Sequence, residues 1–181
     1  NDVWAYHDLH HTTQNFGDFI NAVDRYGKAE SMEDFSRKSQ FVTYDAWRNM
    51  LEAWNSKMWN NTTGLILWMS HPAWPSMIWQ TYTYDYETPG SYFGAKKACE
   101  PIHIQMNLPE NDVMIINTTL NDYKSVTAGL RFIDLQGKEL YKMNIKLDAK
   151  ANSATKCFVP EKGNNLPQLY LARLELKDAK G

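Results

Sequence analysis

Glu100-Pro101-Ile102-His103-Ile104-Gln105 is where the texture of the chain changes. Beyond it, short apolar runs fall at 102–105, 113–116, 130–133, 140–143, 157–159 and 169–172, each bounded by polar or turn-forming residues. Strands of that length at that spacing argue an antiparallel β-sandwich. Asp134-Leu135-Gln136-Gly137-Lys138 reads as a hairpin connection, with Gly137 where a positive φ is needed. All seven tryptophans lie between Trp4 and Trp79, so the first half is built on a different plan from the second.

Working upstream, the signals are helical. Phe16, Phe19, Ile20, Val23 and Tyr26 recur at three- and four-residue steps, the spacing of one helix face, and Gly27 is placed to end it. Ser31-Met32-Glu33-Asp34 offers an N-cap hydroxyl and first-turn acids, which predicts a second helix from there to about Trp59. Two apolar stripes run along it, one through Phe35, Val42, Ala46, Asn49 and Ala53, the other through Phe41, Tyr44, Trp47, Leu51, Trp54 and Met58. A helix apolar on two sides is expected to be wedged between packed layers. Asn60-Asn61-Thr62-Thr63-Gly64 is turn chemistry and leads into Leu65-Ile66-Leu67-Trp68-Met69, continuously apolar as buried parallel strands are. Helix, loop and buried strand make an α/β fragment, and such a strand needs neighbours to pair its backbone. Together with a loop-like start and a strand-and-turn texture at 174–181, this reads as a piece of a larger fold, divided into 1–98 and a sandwich at 99–181. Residues 70–90 read as a functional loop and 91–99 as two turns of helix.

With 43% hydrophobic and 22% charged residues the chain is globular, and a net charge of -2 without a basic run gives no footprint for nucleic acid or an anionic membrane. No apolar run approaches the ~18 to 20 residues of a membrane span. Cys99 and Cys157 fit no metal or redox spacing and are expected as unpaired, mostly buried thiols. His7, His10 and His11 carry no HExxH pattern or acidic partner, so neither a metal nor another cofactor is expected. Sequons at Asn60, Asn61 and Asn117 are too common by chance to carry weight.

The segment 68–93 holds eight of the 24 aromatic residues, and flat sugar faces stack on such rings, so a neutral carbohydrate is the expected partner. Asp85 and Glu87 stand two apart among tyrosines. A retaining glycosidase holds its carboxyl pair roughly 5 to 5.5 Å apart across the substrate, which neighbouring loop acids seldom do, so they read as solvating the loop.

The pattern Gly64-Leu65-Ile66-Leu67-Trp68-Met69-Ser70-His71-Pro72-Ala73-Trp74-Pro75-Ser76-Met77-Ile78-Trp79-Gln80, continued by Tyr92-Phe93-Gly94-Ala95-Lys96-Lys97-Ala98-Cys99-Glu100-Pro101-Ile102-His103-Ile104-Gln105, resembles family 2 glycoside hydrolases, most nearly the exo-β-D-glucosaminidase branch with the β-mannosidases further off. The resemblance covers about residues 4–120. It implies that residues 64–69 are the last strand of a (β/α)8 TIM barrel, giving an α+β fragment of one β/α unit followed by an immunoglobulin-like β-sandwich. It also implies a retaining exo-acting parent enzyme whose two catalytic carboxylates lie upstream of Asn1, so that this chain alone is inactive and packs against the rest of its own polypeptide. Trp68, Trp74, Trp79 and His7 match substrate-binding positions. His71 stands near the sugar where the pattern carries Asn. Export to the periplasm or the exterior is implied too. The competing expectation is a non-catalytic carbohydrate-binding or adhesion module.

Overall fold

The computed structural model describes residues 2–7, 16–76, 80–161 and 166–178. The chain divides into two compact units, residues 1–51 with 65–99, and residues 52–64 with 100–181.

The first unit is helical. After the short α1 (Asp2–His7), α2 (Phe16–Asp24) stops before Gly27, whose φ of +91° lets the chain turn back. α3 (Met32–Asn55) starts where the N-cap signal places it, with the Asp34 amide donating to Ser31 Oγ at 3.1 Å. Lys38 then reaches one turn back to Asp34 at 2.7 Å. α4 (Gly90–Ala98) crosses α3 closely because two glycines face it. A Cβ at Gly94 would lie 2.2 Å from the Tyr44 carbonyl oxygen and one at Gly90 would lie 1.9 Å from that of Gln40, so no larger residue fits without moving the helix. Trp47, Leu51 and Ala98 form the buried centre, with Leu65 and Ala95 packed on it.

Along α3, Trp47 and Leu51 are buried whereas Phe41 and Trp54 stand 50% and 45% exposed, and Ala46 and Asn49 are exposed too, the open apolar surface expected of a helix that packs against the rest of its own polypeptide. The run Leu65–Met69 forms no strand: Ile66 is 94% and Trp68 82% exposed. The physical reason is the one the run itself imposes, since a parallel strand exists only where neighbours accept its hydrogen bonds, and none stands beside it among the described residues. The barrel unit is therefore not seen.

The second unit is the sandwich. β1 (Ile102–Met106), β2 (Val113–Asn117) and β5 (Ser153–Phe158) make one antiparallel sheet in the order β1-β2-β5; β3 (Tyr123–Ile133), β4 (Glu139–Ala149) and β6 (Leu171–Lys177) make the other in the order β4-β3-β6. β3 and β4 run 11 residues each, well past the apolar runs that mark them in the sequence. Their hairpin closes as expected, Gly137 having a φ of +84° and the Asp134 amide donating to Lys138 O at 3.0 Å. Ile115, Val126, Ala128 and Ala149 fill one end of the core and Val113, Leu130 and Phe132 the other. Burying a ring such as Phe132 completely stabilises the fold by about 2 to 3 kcal/mol.

The face of β1 turned away from the sandwich core carries a buried polar cluster. His103 is 1% exposed, with Nε2 2.9 Å from Glu52 Oε1 and Nδ1 3.0 Å from Glu100 Oε2. Ionised carboxylates only accept, so both contacts are hydrogen bonds together when each ring nitrogen carries a proton. Gln105 Nε2 donates to the Glu52 carbonyl at 2.7 Å and to Asn107 Oδ1, and Asn107 continues to Asp112. Asn117 is fully buried, its amide donating to the carbonyls of Asn121 and Lys150, each at 2.9 Å, which leaves no room for a glycan at that sequon. Cys157 is partly buried and free, and burial pushes its thiol up to about 11; Cys99 is free but exposed, against expectation, because it caps the end of α4.

Two substitutions test these constraints. Gly94→Ala is expected to destabilise the protein by about 2 kcal/mol in urea unfolding, since its methyl group must push two helix backbones apart. Glu52→Leu, which strips the buried His103 of an acceptor, should cost about 3 kcal/mol, while Glu52→Gln, which keeps a carbonyl there, should cost about 1 kcal/mol.

Candidate carbohydrate site

Where it is described, at 70–76 and 80–89, the aromatic loop is irregular but anchored. Ser91 Oγ, at the start of α4, donates to the Gln80 carbonyl at 2.7 Å, and the Thr81 hydroxyl and Tyr82 amide both donate to Ser70 O. The middle of the loop is a tight turn in which the Thr83 and Glu87 backbones pair and the Glu87 amide also donates to Thr83 Oγ1 at 3.1 Å. Tyr86 takes a φ of +62° at the bend.

Two histidine–aromatic stacks result. His7 lies parallel to Trp74, with centroids 5.5 Å apart and planes at 25°, while Tyr6 meets Trp74 edge-on at 5.5 Å. His7 Nδ1 donates to the Pro75 carbonyl, which fixes the tautomer and leaves Nε2 available. His71 stacks on Tyr86 at 4.4 Å and 15°, and its Nε2 donates to Tyr84 O at 3.1 Å, leaving Nδ1 available. Each stack therefore sets an aromatic ring beside a histidine whose second ring nitrogen is not used by its backbone contact.

Of the sequence-derived positions, His7 and Trp74 meet in one stack and His71 forms the core of the other. Trp68 is placed in neither and presents its ring to solvent, 82% exposed. Trp79 lies outside the described residues, as do His10 and His11. Tyr6, Tyr84 and Tyr86 are the stacking partners that reading the sequence did not single out; the Tyr84-Asp85-Tyr86 alternation is the one local hint. Asp85 and Glu87 are exposed on the turn, solvating it. Among the described residues no group of three or more His, Cys, Asp or Glu could hold a metal, and no helix is long and apolar enough to cross a membrane.

One hydroxyl, that of Thr83, adds to the backbone bonds of the turn that presents Tyr86. Thr83→Val should raise amide exchange at Glu87 about tenfold, the equivalent of one lost hydrogen bond, and leave α4 amides unchanged.

Comparison with known proteins adds kinship to this geometry. Residues 110–181 match the family described as Mannosidase Ig/CBM-like domain. The exo-β-D-glucosaminidase of Hypocrea virens is 31% identical over 194 residues, covering 100% of this chain and 22% of that protein. The mannosylglycoprotein endo-β-mannosidase of Lilium longiflorum is 30% identical over 137 residues, covering 76% of this chain and 14% of its own length. The crystal structure of Amycolatopsis orientalis exo-chitosanase CsxA superposes with a TM-score of 0.89 at 33% identity, over 97% of this chain and 22% of that one. The chain thus spans between 14% and 22% of these relatives. By sequence along its length and by the fold of its sandwich, the chain belongs to the family 2 glycoside hydrolases.

Proposed function

We propose that the chain is the C-terminal part of a retaining exo-β-glycoside hydrolase acting on a β-glucosaminide or β-mannoside in an oligo- or polysaccharide. The observation that carries this reading is the likeness to exo-chitosanase CsxA over 97% of the chain. In the proposal residues 64–69 serve as the last strand of a TIM barrel. That role accounts for an apolar run whose Ile66 and Leu67 are otherwise exposed. Residues 1–98 then complete the barrel and 99–181 form the immunoglobulin-like domain. The catalytic carboxylates lie upstream of Asn1, and the protein works in the periplasm or outside the cell.

In this scheme the chain contributes binding and not bond cleavage. Trp68, Trp74 and Trp79 stack on sugar faces, and His7 and His71 accept hydroxyl protons on the nitrogens their backbone contacts leave available. Held sugars react faster because orientation is settled before the chemical step.

The test is hydrolysis of a panel of 4-nitrophenyl β-glycosides by the 181-residue chain and by the full-length protein. Activity in the full-length protein alone, with Trp68→Ala lowering kcat/KM by about tenfold, supports the proposal. Turnover by the 181-residue chain itself would sink it and turn attention to Asp85 and Glu87.

A further inference from the structure

The outer face of the β4-β3-β6 sheet is charged in an ordered way. Val126, Ala128, Leu130 and Phe132 of β3 point into the core, so Thr127, Gly129 and Arg131 point outward. The register sets Lys142 and Arg173 on either side of Arg131, which makes one row of three cations. It sets Lys146 and Lys177 beside Thr127 in a second row, ~14 Å away along the strand. Between the rows lie Asn144, Gly129 and Glu175.

Gly129 has no side chain to fill the middle. The Asn144 amide leans over it so closely that a Cβ would come within 2.5 Å of Oδ1. The result is a polar hollow of about 270 Å³. Glu175 is the one carboxylate on these nine positions, and it is already taken up by Arg131 at 2.6 Å and Arg173 at 2.8 Å. Partial burial alone would raise its pKa, but those guanidinium groups and Lys177 outweigh that and hold it below the usual carboxylate range. Lys142, Lys146 and Lys177 are exposed and make no ion pair among the described residues.

This is segregation and not a generally basic domain. Residues 100–181 contain eleven Lys and Arg against ten Asp and Glu, yet five of those cations and one acid meet on this face. We propose that the face binds a polyuronate strand, a glycan with one carboxylate on each sugar, its carboxylates meeting the two cation rows and its hydroxyls meeting Asn144 and Thr127. The choice of a glycan rests on the glycosidase reading above; the choice of an acidic one rests on the face alone. The strip spans two strand spacings, ~10 Å, about the width of a single extended glycan. It carries no aromatic ring at any of the nine positions, so neither a neutral sugar nor an unpaired base has a stacking platform. A polymer of protonated amino sugars would be repelled.

The experiment is titration calorimetry of the 181-residue chain with polygalacturonate, with dextran and chitosan as comparators, at low and high salt. Binding to polygalacturonate alone, weakening as salt rises, is expected. The triple variant K142E/K146E/K177E should lose at least about tenfold in affinity, whereas K28E/K57E/K96E, the same charge change elsewhere, should lose less than about twofold. Melting curves establish that both variants are folded, and the milder K142Q/K146Q/K177Q replaces the first if it is not. No binding to polygalacturonate, equal binding to dextran, or equal losses in the two triple variants would overturn the proposal. Hydrolysis of the nitrophenyl panel by the full-length protein is measured in parallel, so that failure of this inference leaves the glycosidase reading standing and the reverse.

Discussion

A pleated strand sends successive side chains to opposite faces, and in β3 that alternation must serve two surfaces at once. The inward set supplies Leu130 and Phe132 to the core, and the outward set places Arg131 against Glu175. A slip of one residue would exchange them, driving a guanidinium into the core and a phenyl ring into water. The strand is held against that slip at both ends. At one, the hairpin closes through Gly137. At the other the ladder breaks between Tyr123 and Val126, where Ser125 takes a φ of +54° and its amide donates to Asp148 at 3.0 Å. That bond, with Lys124 beside it, keeps the Asp148 carboxyl below its ordinary range, the sign of an anion that the folded state stabilises.

The helical unit depends on a different constraint, the closeness of two backbones. Gly90 and Gly94 lie one turn apart on α4, and both meet carbonyls of α3. Because α4 is seated there, Ser91 is in position to take the Gln80 carbonyl, and the loop that carries the histidine stacks inherits its footing from that contact. A displacement of α4 by even an ångström would therefore be felt at Tyr82 and Ser70 before it reached any aromatic ring. The loop has no regular structure of its own among its described residues, so their geometry is borrowed from the helix pair.

What was legible in the sequence follows from the range of the interactions. The N-cap at Ser31, the turn at Gly27 and the hairpin at Gly137 are local, and each is found as read. The strand lengths are not local. The second half of β4, from Asn144 to Ala149, alternates polar with apolar residues and lies beyond the apolar run read as strand, its length being set by pairing with β3. The run at 65–69 shows the converse: its pattern asks for strand neighbours, and a pattern cannot create them. In the site, Trp68, Trp74, His7 and His71 could be picked out by chemistry and by resemblance, but the pairing of His71 with Tyr86 depends on a positive φ at residue 86 that nothing in the local sequence announces.

The motif that carried the family resemblance divides on inspection into residues with separate tasks. The part before Gln80 holds the exposed rings and the histidine stacks, whereas Gly94, Glu100, His103 and Gln105 are all occupied in packing. Glu52 receives two directional contacts from β1, its side chain meeting His103 and its carbonyl meeting Gln105. Removing the Glu52 carboxylate and an imidazole from water is costly, and an apolar contact of the same volume would often be as stable or more so. An apolar contact could also slide along β1, because dispersion has no preferred register. Two hydrogen bonds to successive positions on the face of β1 opposite Ile104 cannot slide without both breaking. The geometry thus favours a buried polar contact that gives up stability to fix where residues 52–64 sit on the sandwich.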